Sequence, residues 1–371
     1  NKKVSDKDFP PLSVTNKGIL PQLETAAKTN DGDNRKLVRI GDFAINSRSD
    51  RRGSCGISPY NGSVSLINIV MMPRKEMIPT YYEWLFHTTQ FGDENYRWGH
   101  GIVDDLWTTG WQEMKKITIP MPPLDEQRRI ADYLDAKCAE IDVLTADIQT
   151  QIDTLEQYKR SVITEAVTKG LEPDVEMKDS GIQWIGSMPA HWNCIRGKYI
   201  LKYIQKPVRE DDGVITCFRD GEVTLRSNRR EDGFTMADKE IGYQGIDVGD
   251  LVVHGMDGFA GAIGISDSRG KASPVLNVLD TEQSKRYIMY FLRSMAYSDV
   301  FLALATGIRV RSCDLRWNKL SELFYPVPPL EEQEAIVDYI DSVLRRTDEV
   351  IAAKREQLST LEAYKKSLIY E

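Results

Sequence analysis

Three short stretches gather arginines in polar surroundings. "NSRSDRRGS" carries Arg48, Arg51 and Arg52, with Tyr60 and Asn61 just beyond it, and "LRSNRRED" carries Arg226, Asn228, Arg229 and Arg230. In "GIRVRS", Arg309 and Arg311 alternate, so both point to one side of an extended segment. A guanidinium is a planar fork of donors, suited equally to a phosphate and to the edge of a guanine. These residues are the candidate nucleic-acid contacts, with Arg97 and His100, just ahead of Gly101, as further ones. A solvated, salt-bridged loop uses the same residue types, and the acids near Arg229 keep that reading open. Lys271, a lone base in a turn, reads as surface.

Side chains for covalent chemistry lack the spacing that such chemistry requires. The chain has no Walker A loop, no HExxH and no G-x-S-x-G. Its four histidines, His87, His100, His191 and His254, are too scattered for a metal site. "GFAGAIG" at 258–264 is glycine-rich, but no helical pattern follows, so a turn between strands is expected there rather than a phosphate cradle. "FPPL" at 9–12 and "MPPL" at 121–124 put leucine where the proline–proline–aromatic motif of amino-methyltransferases has its stacking ring. The five cysteines, Cys55, Cys138, Cys194, Cys217 and Cys313, include no C-x-x-C pair, as suits reduced thiols in a cytoplasmic protein. No apolar run is long enough to span a bilayer, and no signal-peptide pattern stands at the start, which is Asn1 rather than Met. The expectation is a cytoplasmic chain without membrane contact, metal or cofactor of its own, and not itself an enzyme.

The candidate contacts must be held by some scaffold, and the chain writes that scaffold twice. "PMPPLDEQRRIADYLD" at 120–135 returns as "PVPPLEEQEAIVDYID" from residue 326, a register of 206 residues. With no gap, the register pairs Tyr133 with Tyr339, Leu155 with Leu361, Tyr158 with Tyr364 and Ser161 with Ser367. Upstream it pairs Gly101 with Gly307 and Trp111 with Trp317, so the chain is a duplication rather than low complexity. Each copy opens with prolines that hold the chain extended, then acids suited to the positive end of a helix dipole.

A seven-residue apolar rhythm follows: Leu134, Ile141, Ile148, Leu155 and Val162 in the first copy, with Ile130, Leu144 and Tyr158 alongside. The second copy offers Ile336, Val343, Val350 and Tyr364, with Ile340, Leu361 and Leu368 alongside. Both predict long amphipathic helices, over 124–168 and 330–371, with a coiled-coil seam and antiparallel pairing within the chain. The first would be about 67 Å long at about 1.5 Å per residue. It stops at "TKGLEP", where Gly170 offers a C-cap and Pro173 prevents resumption. Outer-face residues such as Glu126, Gln127, Asp132 and Tyr133 are left for partners.

The blocks at 1–123 and 169–329 predict two mixed α/β domains. Each has a strand after a Gly-Asp turn, "IGDFAIN" and "VGDLVVHG", and a second strand, "GSVSLINIV" and "GKASPVLNVL". Aromatic helical pieces follow, "TYYEWLFHTTQF" and "RYIMYFLRSMAYSDVF". The second block also has a lead-in, "DSGIQWIGSMPAHWNCIRGKYI", without a counterpart in the first. A comparable stretch is expected ahead of Asn1, and a short tail after Glu371, which matches Glu165. The net charge of −8 is uneven: +2 for 1–123, −5 for 124–168, −1 for 169–329 and −4 for 330–371. The acidity sits in the helices, so a local basic face on either domain remains open.

P-x-P-P-L-x-E-Q before a long helix, twice, with "SGIQWIGSMPAHW" opening the second half, resembles the specificity (S) subunits of type I restriction–modification enzymes. The "AVTKGL" exit and "GIRVRSCDLRWNKL" at 307–320 belong to the same resemblance, which covers essentially the whole chain. It implies an α+β fold with an internal pseudo-two-fold repeat: two target-recognition domains separated by two long antiparallel coiled-coil helices. It further implies that each domain reads one half of a bipartite site in double-stranded DNA, with the helices as the ruler. Two modification subunits, using S-adenosylmethionine, would dock on the helices, and two restriction subunits would bring ATP- and magnesium-dependent translocation and cleavage. The alternatives are the specificity part of a split or fused restriction–methyltransferase, or a coiled-coil scaffold for protein partners without DNA.

Overall fold

The structure, a computed structural model, describes residues 3–22, 32–48, 53–101, 107–229, 241–303 and 315–370. The chain divides into two units, residues 1–148 with 356–371 and residues 149–355. Both long helices supply residues to each unit. The fold is α+β, as the resemblance implied.

In the first unit the strands are β1 (Lys3–Val4), β2 (Leu12–Thr15), β3 (Gly18–Pro21), β4 (Arg35–Val38), β5 (Phe43–Asn46), β6 (Cys55–Ile57), β7 (Gly62–Val64) and β8 (Asn68–Met71). They form sheets of order β1-β4-β7 and β6-β5-β8 and a hairpin β2-β3, all antiparallel. The Gly-Asp turn ahead of β5 needs a left-handed residue, and Gly41 supplies it at φ +88°. Helices α1 (Pro79–Phe86), α2 (Thr89–Arg97) and α3 (Trp111–Met114) come next. Phe86 and Phe91 pack against Phe43 of β5 to make the aromatic centre of this head. The helix α4 (Leu124–Lys169) then begins.

The second unit repeats this plan and adds to it. Its elements are β9 (Met177–Asp179), β10 (Ser187–Pro189), β11 (Asn193–Arg196), α5 (Gly197–Ile200), β12 (Lys202–Ile204), β13 (Ile215–Cys217), β14 (Val223–Leu225), β15 (Gln244–Ile246), β16 (Leu251–His254), β17 (Ile263–Ile265), β18 (Gly270–Ala272) and β19 (Leu276–Asp280). After them come α6 (Lys285–Tyr297), α7 (Val300–Ala303), α8 (Trp317–Leu320), β20 (Phe324–Val327) and α9 (Leu330–Tyr370). The main sheet has the order β12-β19-β16-β17, beside the pairs β13-β14, β15-β18, β9-β10 and β11-β20. "GFAGAIG" holds a turn closed by Gly261 at φ +95° and runs directly into β17. "GSVSLINIV" and "GKASPVLNVL", each read as one strand, are two strands in different sheets. The same turn splits both, with Asn68 N–H donating to the Ser65 carbonyl and Leu276 N–H to the Ser273 carbonyl.

Each head is tied to its helix by a glutamine in the first turn. Gln127 Oε1 accepts from Ile78 N–H at 2.9 Å, and its amide donates to the Pro122 carbonyl at 2.7 Å. Gln333 Oε1 accepts from Ser284 N–H at 3.0 Å, and its amide donates to the Pro328 carbonyl at 2.9 Å. Gln127 is thus buried inside the joint and not on the outer face. Two turns on, Trp84 donates to Asp135 at 2.8 Å, and Tyr290 donates to Asp341 at 2.6 Å. A tyrosine hydroxyl also reaches the preceding proline's carbonyl in each joint, Tyr82 to Pro120 and Tyr287 to Pro326.

The helices pair antiparallel within both units. In the first, Lys365 of α9 reaches Asp142 of α4 at 2.6 Å; in the second, Lys159 of α4 reaches Asp348 of α9 at 2.6 Å. Leu134, Ile141, Val162, Ile336 and Val343 are buried in the seam, and Ile148, Leu155 and Leu361 are half-buried. Val350 and Tyr364 do not belong to it: they are 46% and 49% exposed, and their neighbours Ile351 and Lys365 turn inward instead. Leu144 and Tyr158 are likewise exposed, while Ala131, Cys138, Ile152 and Ala166 are buried. One residue turns a helix by about 100°, so a one-place error in phase removes a side chain from the seam. The inward row uses small and polar residues, which a search for large apolar ones passes over.

Replacing Gln333 by alanine strands a buried N–H and carbonyl and is expected to lower unfolding free energy by about 1–3 kcal/mol. Val350→Ala, on the exposed face, should change it by less than about 0.5 kcal/mol. Urea titrations of both variants check the pair; equal effects would contradict the assignment.

Candidate nucleic-acid interface

In the first head the structure splits the candidates between the two ends of β5. Arg48 is exposed two residues past the strand, its N–H held by the Asn46 side chain at 3.0 Å. Both Arg48 and His100 pair through their backbones with Thr108, so these two lie together. Beside them is a small cavity of about 30 Å³, lined in part by Arg48, Gly53, Tyr96 and Trp107, with Tyr96 and Trp107 stacked. Arg97, at the exposed end of α2, makes a surface pair with Glu94 at 3.4 Å. Tyr60 and Asn61 sit at the other end of β5, in the turn closed by Ser58, where Asn61 accepts from Ile40 N–H at 3.1 Å. Arg51 and Arg52 lie outside the described residues.

In the second head Arg226 and Asn228 occupy the single turn that follows β14. Arg226 donates to the Thr216 hydroxyl at 3.3 Å and Asn228 to the Thr224 hydroxyl at 2.8 Å, both within the β13-β14 hairpin. These bonds orient both side chains on the hairpin. Arg229 differs: it bonds Asp220 at 2.7 Å and Glu222 at 3.1 Å and lies 4.1 Å over the Phe218 ring. Its charge is engaged inside the head, as the interleaved acids allowed. Arg230, Arg309 and Arg311 lie outside the described residues.

The sequence reading passed over two arginines beside this hairpin. Arg219 is exposed and pairs with Asp257 at 2.9 Å, while Arg293 donates to the Asp220 carbonyl at 2.7 Å and to Tyr297 at 2.8 Å. With Lys159 and Arg160 they line a cleft of about 790 Å³ that also holds Glu156, Asp220, Asp299 and Asp348. Four bases facing four acids leave the cleft without a net charge to attract phosphate. The closeness of Arg219 to the Gly221 turn was the available signal.

Beneath the hairpin lies an ion-pair network. Arg269 bonds Asp212 at 3.0 Å and also Asp247; Lys206 bonds Asp247 at 2.9 Å and Asp250 at 2.6 Å. Val214, two residues past Asp212, accepts from Arg226 N–H at 2.8 Å, so the network braces the start of the arginine turn. Hydrogen bonds from Lys206 and then Arg269 hold the Asp247 carboxyl down at about 2.

Burial pushes the Cys55 and Cys217 thiols up to about 12, which makes them packing groups at neutral pH. Among the described residues, no three His, Cys, Asp or Glu side chains are grouped to hold a metal ion, and no helix is long and apolar enough to cross a membrane.

Residues 33–154 match the family model described as the type I restriction modification DNA specificity domain. Over 376 aligned residues the chain is 22% identical to the putative type I restriction enzyme MjaX specificity subunit of Methanocaldococcus jannaschii, covering 96% of this chain and 82% of that one. It is 25% identical to the MjaVIII specificity subunit of the same organism, over 69% of this chain and 61% of that one. The EcoBI specificity subunit of Escherichia coli is 25% identical, over 64% and 53% respectively. Among solved structures, a chain from a study of complex assembly and conformational transition of the type I R-M system superposes with a TM-score of 0.68 at 16% identity, covering 100% of this chain and 93% of that one. The HsdS subunit from Thermoanaerobacter tengcongensis gives 0.53 at 16% identity, over 97% and 89%.

A carboxyl held below its ordinary value stabilises the fold fully above about pH 3.9 and loses that contribution as pH falls toward its folded value. The stability difference between the native chain and Asp247→Asn should therefore be constant from pH 7 to about 5 and shrink between pH 4 and 2. Denaturant titrations across that range read it; a difference that widens on acidification would overturn the assignment.

Proposed function

We propose that this chain is a DNA specificity subunit of a type I restriction–modification system, and that each of its heads reads one half of a bipartite duplex site. The observation that carries this reading is the head-to-helix joint, repeated with the same atoms at Gln127 and at Gln333. One reader presented twice on a fixed support suits a target that is itself split in two, as the geometry of a dimer suits spaced half-sites. In the first head the contacts are Arg48, Arg51, Arg52, Arg97 and His100, with Tyr60 and Asn61 flanking. In the second they are Arg226, Asn228, Arg230, Arg309 and Arg311. Arg229 works from behind, holding the hairpin through Asp220 and Glu222.

The chain contributes recognition, and the chemistry belongs to its partners. Two modification subunits, carrying S-adenosylmethionine, methylate one adenine in each half-site. Two restriction subunits add ATP- and magnesium-dependent translocation and cleavage. The duplicated tyrosines Tyr133 and Tyr339, and Tyr158 and Tyr364, are exposed at equivalent helix positions. Four amphipathic rings left in water at matched places suit the docking of two identical partners.

A map of methylated adenines in the host, with and without this gene, tests the reading. The expected result is a split motif, two short half-sites around a constant gap, that vanishes on deletion. An unchanged methylome in a strain with active modification subunits would defeat it. Lengthening α4 and α9 by seven residues each adds about 10.5 Å at about 1.5 Å per residue. At about 3.4 Å per base pair the gap should widen by about three base pairs. An unchanged gap would remove the ruler role.

A further inference from the structure

The last residue of the central strand caps the loop that follows it in both heads, with a different side chain in each. Asn46 closes β5 and His254 closes β16, and the two strand ends match bond for bond. Asn46 N–H donates to the Ser54 carbonyl at 2.9 Å, and His254 N–H to the Ala262 carbonyl at 3.0 Å. One residue on, the Ser47 carbonyl accepts from Thr109 N–H and the Gly255 carbonyl from Leu315 N–H. Each side chain then accepts from the loop: Asn46 Oδ1 from Arg48 N–H at 3.0 Å, and His254 Nδ1 from Met256 N–H at 3.2 Å and Asp257 N–H at 2.9 Å. An acceptor at Nδ1 requires the neutral imidazole, and burial lowers the His254 pKa and so favours it.

By that match Met256 stands where the first head has Arg48, and its thioether has no N–H to offer a ligand. A guanidinium comes to the residue beside it from another segment. Arg219, at the tip of the β13-β14 hairpin, donates to Asp257 at 2.9 Å, and its side chain is 62% exposed. The glycine-rich stretch "GFAGAIG" is the seat of that tip. A Cβ on Gly261 would lie 2.7 Å from the Arg219 carbonyl oxygen, and one on Gly264 would overlap the Gly221 carbonyl. Arg293 fixes the tip from the other side by donating to the Asp220 carbonyl at 2.7 Å. A carboxylate on one edge of a guanidinium orients the fork and leaves other N–H groups for two acceptors in its plane.

We propose that Arg219 reads a guanine in the half-site of the second head, and that His254 is its positioning residue. Beside Asp257, Arg219 gains little from a phosphate. The N7 and O6 atoms of guanine are two acceptors in one plane, which an oriented fork tells apart from the edges of other bases. The charge balance of the cleft that Arg219 lines agrees, because it draws in no phosphate and leaves discrimination to geometry. His254 does not touch the base: it holds the turn that carries Asp257, and Asp257 holds the guanidinium. In the first head Asn46 holds the Arg48 backbone with an oxygen placed as His254 places its Nδ1. Asparagine at 254 would therefore keep the acceptor, and alanine would remove it. This inference rests on the reading of DNA by the second head.

The test assembles the full chain with its modification subunits, lets the complex methylate a library of random duplexes, and sequences the methylated ones. The native complex is expected to select two short half-sites, one of them with a required guanine. Arg219→Ala should relax the preference for that guanine by about tenfold or more and leave the other half-site as sharp as before. His254→Ala should relax the same guanine by about threefold or more, and His254→Asn should hold it within about twofold of native. A motif unchanged by Arg219→Ala would overturn the proposal. Loss of the whole half-site in that variant would also overturn it, since Arg219 would then hold the head together and not read a base. Equal relaxation by alanine and asparagine at 254 would overturn the positioning role. A native complex that selects no split motif would defeat the reading of DNA itself, and this proposal with it.

Discussion

A buried glutamine amide, used once in each half, is the interaction on which the rest of the architecture depends. A primary amide offers a carbonyl and an N–H₂ group at one end of a flexible stem, so Gln127 and Gln333 can each satisfy a head's backbone N–H and the proline loop's carbonyl together. The prolines ahead of each helix leave carbonyls without helical partners, and the amide answers one of them. No apolar residue at this position could do both. The joint sets the angle at which a head leaves its helix, and the tryptophan or tyrosine bond two turns further on sets it again.

From those joints, the charge distribution becomes intelligible. The acidity of the chain is placed on the helices, where Asp142 and Asp348 meet lysines from the opposing helix. The heads stay near neutral and use many of their bases internally: Arg269 and Lys206 brace strands, and Arg229 and Arg219 are paired with acids. Arg226, by contrast, is held on the β13-β14 hairpin by the Thr216 hydroxyl.

The helices show how far periodicity carries. Leu134, Ile141, Val162, Ile336 and Val343 were legible as seam residues because large apolar side chains recur there every seven places. Val350 and Tyr364 continued that count and are exposed, because the inward row shifts by one place to Ile351 and Lys365. A lysine that spans the seam to an acid on the other helix has no signature in a hydropathy pattern. The strands tell the same story: "GSVSLINIV" has the composition of one strand, but the Ser65–Asn68 turn breaks it, and only the hydrogen bond shows that.

The sequence by itself determined the duplication, the two long helices with their proline openings and glycine stop, the α+β class and the places where arginines cluster. All of these are written as period, run or spacing along one dimension. Tertiary structure decided that Gln127 is buried, that Arg229 is engaged by Asp220 and Glu222, and that Tyr60 and Asn61 lie at the far end of β5 from Arg48. It also decided that, among the described residues, Thr118–Met121 joins no strand while its counterpart Phe324–Val327 pairs with β11. Each of these depends on a distance between segments far apart in the chain, and burial and charge pairing are set by such distances rather than by residue type.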